Sequence, residues 1–101
     1  MPTRKPRRVL VVEDDRDIAA LVRLHLLDLG CEVQLADDGA AGLALAQAQA
    51  FDLVILDVML PGRGGFQVCQ NLRAGGLRAP ILMLTARSPA IDTVMGPRPG
   101  A

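Results

Sequence analysis

The chain has 101 residues, half of them apolar, and its eleven basic side chains balance its eleven acidic ones. That length suggests a single domain with enough apolar residues for a small core. A net charge of zero removes any bulk electrostatic pull toward nucleic acid or membrane, and the first apolar stretch, Val9–Val12, is too short for a signal peptide or a membrane span.

Residues 1–8 carry Arg4, Lys5, Arg7 and Arg8 and read as a solvated basic leader ahead of a domain spanning 9–101. A nucleic-acid-binding arm is the other reading of that charge. Val9-Leu10-Val11-Val12 is an unbroken apolar run, as expected of a strand buried on both faces, and it ends in Glu13-Asp14-Asp15. From Arg16 to Leu29 the spacing turns helical. Ile18, Leu21, Val22, Leu26 and Leu29 share one side, Asp15 is placed to cap the start, and Gly30 ends the helix. His25 falls on that apolar side and reads as a partly buried packing residue, whereas Leu24 and Leu27 point away from it. Cys31 to Ala36 alternates, with Val33 and Leu35 on one face, which predicts an edge strand.

Asp37-Asp38-Gly39 is a turn, and the Ala-, Leu- and Gln-rich stretch Ala40 to Gln49 predicts a helix. Leu53-Val54-Ile55-Leu56 is a second unbroken apolar run, ending in Asp57 and then in Val58-Met59-Leu60-Pro61-Gly62, where Pro-Gly stops the strand. Phe66, Val68, Cys69 and Leu72 mark a third helix ended by Gly75-Gly76. Ile81-Leu82-Met83-Leu84 is another buried strand, closed by Thr85-Ala86, and Ile91 to Gly96 predicts a helical stub stopped by Pro97 and Pro99. Strands alternating with helices imply right-handed crossovers and a parallel α/β sheet. Cys31 and Cys69 lack metal-ligand spacing and read as free packing thiols in a reducing cytoplasm.

In the doubly wound order 2-1-3-4 the first and third strands are neighbours at the switch point, and ligands bind beyond their carboxyl ends. Glu13, Asp14 and Asp57 then converge there. Three carboxylates repel one another unless a cation neutralises them. Oxygen-only ligands select Mg²⁺ or a similar hard ion, which prefers to share a phosphate oxygen. Thr85, at the end of the adjacent strand, adds a hydroxyl. Loop amides after Asp57 and at Ala86 are candidate donors to phosphoryl oxygens, and a carboxylate in such a pocket is a candidate nucleophile. The plainer readings are that Asp57 is an ordinary strand-end carboxylate, Asp15 only a cap, and Thr85 only the close of a strand.

The motifs VLVVEDD at 9–15, LVILDVMLPG at 53–62 and ILMLTAR at 81–87, in that order and at those separations, resemble the receiver domain of bacterial two-component response regulators. Their wording is most similar to the subfamily that carries a winged-helix DNA-binding domain. The resemblance implies a flavodoxin-like fold in which Asp57 accepts a phosphoryl group from a sensor histidine kinase. It implies Mg²⁺ held by Glu13, Asp14, Asp57 and the backbone carbonyl of Met59. It makes the amides of Val58, Met59 and Ala86 phosphate donors, and Thr85 the hydroxyl that senses the phosphate.

The family pattern continues into a fifth strand with an aromatic switch residue and Lys-Pro, and then a fifth helix. This chain stops at Gly100-Ala101, and its one lysine is Lys5. Loss of one preorganised electrostatic partner commonly costs on the order of 10²–10³ in rate. The expectation is therefore an incomplete receiver whose fourth strand is a bare edge, open to pairing with a second copy. DNA would be met only through an output domain outside these residues. Two functions follow: a phospho-accepting module that is not an enzyme beyond its own phosphorylation, or a binding fragment that is no longer switched. An Asp-nucleophile phosphatase would need a second Asp two positions on, where this chain has Met59.

Overall fold

The computed structural model describes residues 6–60 and 64–84. The elements run β1 (Arg8–Val12), α1 (Arg16–Asp28), β2 (Glu32–Ala36), α2 (Gly39–Ala48), β3 (Leu53–Asp57), α3 (Gly65–Ala74) and β4 (Ile81–Leu84). All pairings are parallel, and the strand order is β2-β1-β3-β4, as the doubly wound pattern predicts. The expected stub at 91–96 lies outside the described residues.

Alternation along the central strands builds two cores. Leu10 and Val12 of β1 and Val54 and Leu56 of β3 face α2 and α3, where they meet Val68 and Leu72. Val9, Val11 and Ile55 point to the other face and meet Val22 and Leu26 of α1. The β1 and β3 side chains are almost fully buried, which is why both strands read as unbroken apolar runs. Each such side chain contributes about 1.5–3 kcal/mol.

Local chemistry sets the helix ends. Asp15 caps α1, its Oδ1 accepting from the N–H groups of Asp17 (2.9 Å) and Ile18 (3.1 Å). At the other end Gly30 adopts φ +86°. Its N–H donates to the Leu27 carbonyl and that of Cys31 to Leu26, a Schellman turn that glycine favours.

Two α1 expectations are corrected. His25 is exposed rather than partly buried. Leu21 and Leu29, assigned to the apolar side, are 56% and 77% exposed. The helix docks through a narrower stripe of Ala19, Val22 and Leu26, and Leu29 falls in the cap, beyond the last packed turn. Arg8, grouped by its charge with the leader, belongs to β1 and pairs in register with Glu32.

Candidate metal centre

The register of β1 against β3 sets Val12 beside Leu56, so the next residues, Glu13 and Asp57, lie side by side. The ladder continues past both. Glu13 N–H donates to the Ala36 carbonyl, and Val58 N–H to the Leu84 carbonyl, each at 2.9 Å. The two acidic backbones are therefore held by strands on either side, at the switch point between β1 and β3.

Glu13 and Asp57 are each 6% exposed, while Asp14 is exposed. One oxygen from each of the three lies within 4.8 Å of the others. Burial pushes the Glu13 carboxyl up to about 7, against an ordinary 4.5. The Asp57 charge, a hydrogen bond with Asp57 and the Asp14 charge push the same way, and the Asp15 amide opposes them. That amide donates to Glu13 Oε2 at 3.0 Å. Asp57 is held likewise, its Oδ1 accepting from Met59 N–H at 3.0 Å. Among the described residues no Lys, Arg or His forms an ion pair with Glu13, Asp14 or Asp57.

These carboxylates fit a hard divalent cation. They supply oxygen donors only, two of them are nearly buried, and their mutual repulsion is what a cation would relieve. Asp15 is spent on capping α1, and its carboxylate is not part of the cluster.

Thr85 and Ala86 lie outside the described residues, as does Lys5. The loop after Asp57 corrects one expectation. The Val58 N–H is committed to the Leu84 carbonyl, so it is not free for a phosphoryl oxygen. Met59 N–H is the described loop amide aimed at the acidic cluster.

The sequence reading also passed over Gly65. It opens α3 packed against the Asp57 and Val58 backbone, with no room for a Cβ. One glycine among several in a loop gave no sign of this.

The response regulator receiver domain family matches residues 9–101, and the chain belongs to that family. Its relatives are transcriptional regulatory proteins. DltR of Streptococcus agalactiae is 46% identical over 88% of this chain, and PhoP of Bacillus subtilis, the alkaline phosphatase synthesis regulator, is 42% identical over 94%. The chain spans 40% of the length of each. Among solved structures, the chemotaxis protein CheY4 of Vibrio cholerae is similar with a TM-score of 0.77 and 38% identity, covering 83% of this chain and 72% of that one. The response regulator TrrA of Thermotoga maritima, in complex with Mg²⁺-BeF, has a TM-score of 0.75 and 36% identity, covering 79% and 70%. The described residues thus form four strands and three helices of a receiver fold. No helix among them is long and apolar enough to cross a membrane.

Proposed function

We propose that this domain accepts a phosphoryl group on Asp57 and thereby switches an output, transcription in the intact protein. The observation that carries the reading is the cluster of Glu13, Asp14 and Asp57, with two of the three carboxylates nearly buried and unpaired with any cation among the described residues. Structural carboxylates are rarely left in that condition. The TrrA structure, with Mg²⁺-BeF bound to a similar fold, supports the same assignment.

Glu13, Asp14, Asp57 and the Met59 carbonyl are the ligands we assign to Mg²⁺. Bound there, the ion would neutralise the carboxylates and the charge that grows on the phosphoryl oxygens. The chain's own residues do the rest. Met59 N–H holds one Asp57 oxygen, which fixes the carboxylate plane. An Asp57 oxygen attacks phosphorus, a new O–P bond forms as the bond to the donor breaks, and the leaving group departs with its electron pair. Ala86 N–H and the Thr85 hydroxyl are assigned to the transferred oxygens, Thr85 as the group that reports their presence.

The donor in the cell would be a sensor histidine kinase, and the location the cytoplasm. DNA would be contacted through an output domain, as in the longer transcriptional relatives. Association of two copies, including through the edge that β4 forms among the described residues, is a further assignment of this reading. Catalysis would extend no further than the domain's own phosphorylation.

Intact mass tests the reading. Incubation with Mg²⁺ and acetyl phosphate should add one phosphate to the wild-type chain and none to Asp57→Asn. An equal adduct on the variant would place the phosphate elsewhere and overturn the assignment. No adduct on either, with Mg²⁺ still bound, would leave a receiver-shaped binding module.

A further inference from the structure

The chain that leaves Asp57 comes back to it. Gly65, the buried first residue of α3, packs on the backbone it departed from. A Cβ there would run into the Asp57 carbonyl oxygen and come within 2.7 Å of Val58 Cα and 3.1 Å of the Asp57 carbonyl carbon. These are backbone atoms, with no rotamer by which to move aside. One residue earlier, Gly64 has open space at the same position.

The contact matters because of the peptide it grips. Gly65 N–H donates to the Val58 carbonyl at 3.0 Å. The N–H of that same peptide unit belongs to Met59 and donates to Asp57 Oδ1 at 3.0 Å. The unit is planar and trans, so fixing the direction of its C=O fixes the direction of its N–H. Close approach of Gly65 therefore sets how the Asp57 carboxylate is held.

We propose that Gly65 is a positioning residue for Asp57, acting through the Val58–Met59 peptide to orient the carboxylate for metal binding and phosphoryl transfer. This rests on the phospho-acceptor reading of the site. A side chain at 65 lifts α3 from β3, turns the peptide, and releases the Met59 N–H from Asp57.

The test uses the 101-residue chain and Mg²⁺ titration by calorimetry. Gly65→Ala should weaken Mg²⁺ binding about 10–100-fold, the range for groups that orient metal ligands. It should slow phosphate addition from acetyl phosphate by a similar factor. Gly64→Ala should leave Mg²⁺ affinity unchanged. Leu72→Ala, a core truncation in the same helix, should lower the melting temperature and leave Mg²⁺ affinity unchanged. Wild-type affinity in Gly65→Ala overturns the proposal, and so does an equal loss in Leu72→Ala, which would make the effect one of stability alone.

If Gly65→Ala does not fold, amide exchange on the wild type decides. Mg²⁺ saturation should slow exchange at both Met59 and Gly65, and slowing at Met59 alone overturns the role. Asp57→Asn separates the two layers. If that variant binds Mg²⁺ as the wild type does, the site reading itself has failed. If it binds weakly while Gly65→Ala binds normally, only the role of Gly65 has failed.

Discussion

At the amino end of the sheet Arg8 meets opposite charge and an aromatic face. At the carboxyl end Glu13 and Asp57 meet each other. The Arg8 backbone N–H donates to Asp52 Oδ2 at 2.8 Å, and its guanidinium reaches the Ala50 carbonyl at 3.1 Å and the Gln49 side-chain oxygen. It also pairs with Glu32 at 3.4 Å and lies 5.3 Å from the Phe51 ring centroid. Every donor named there has an acceptor, and the cation has an anion. Among the described residues, the acidic pair at the opposite end of the sheet is steadied by backbone amides rather than by a cation. One end of the sheet is electrostatically complete as folded, while the other, among the described residues, leaves like charges facing each other with no cation beside them.

Substitutions at the two ends should therefore differ in sign and in metal dependence. The largest effect is expected at the amino end. Phe51, buried beneath Arg8, should cost about 3–5 kcal/mol when cut to Ala. Its removal should leave the affinity for Mg²⁺ intact, as denaturant melts and a Mg²⁺ titration would show. The carboxyl end should respond in the opposite direction. In EDTA, Asp57→Asn should stabilise the fold by about 1–3 kcal/mol, because relief of like charge outweighs the lost carboxylate. The same variant should lose most of the stabilisation that Mg²⁺ gives the wild type. Destabilisation of metal-free Asp57→Asn would break the comparison.

The pH dependence sharpens it. Glu13 titrates near 7 in the metal-free fold and near 4.5 in the unfolded chain. Between those values the folded state binds more protons than the unfolded one, so stability falls as pH rises. The contribution is fully present below about 4.5 and gone above about 7. A melting series in EDTA from pH 5.5 to 7.5 should therefore decline, after correction with Glu13→Gln. Mg²⁺ favours the ionised carboxylates, so the rise in melting temperature that it produces should be larger at pH 7.5 than at 5.5. The smallest effect is that of Arg8→Ala. Its partly exposed ion pair and cation–π contact are worth about 1 kcal/mol together, and the loss should shrink in high salt.

Much of this contrast was legible in the residues. The β1 and β3 runs announce themselves because both faces of each strand are buried, and a carboxylate straight after such a run has to be explained. Asp15 reads as a cap from its place before the helix, and its carboxylate does that. What escaped depends on distances across the fold. His25 sits among apolar residues on a helical wheel, but α1 docks through a stripe too narrow to include it. Arg8 looks like one more charge in a basic leader, and only the register with β2 and the approach of the α2–β3 loop make it structural. The Val58 amide lies beside the acceptor in sequence, yet the neighbouring strand takes it. Gly65 is one of five glycines from 62 to 76, and nothing in that spacing shows which of them touches Asp57.

The central claim is that Glu13, Asp14 and Asp57 act as one cation site. Calorimetric titration of Mg²⁺ into the chain, beside Asp57→Asn and Glu13→Gln, tests it most directly. The account predicts one ion per chain for the wild type and affinity reduced at least about tenfold in each variant, as for loss of a ligand or its close support. Unchanged affinity in Asp57→Asn would contradict it, and the buried carboxylates would then need another explanation.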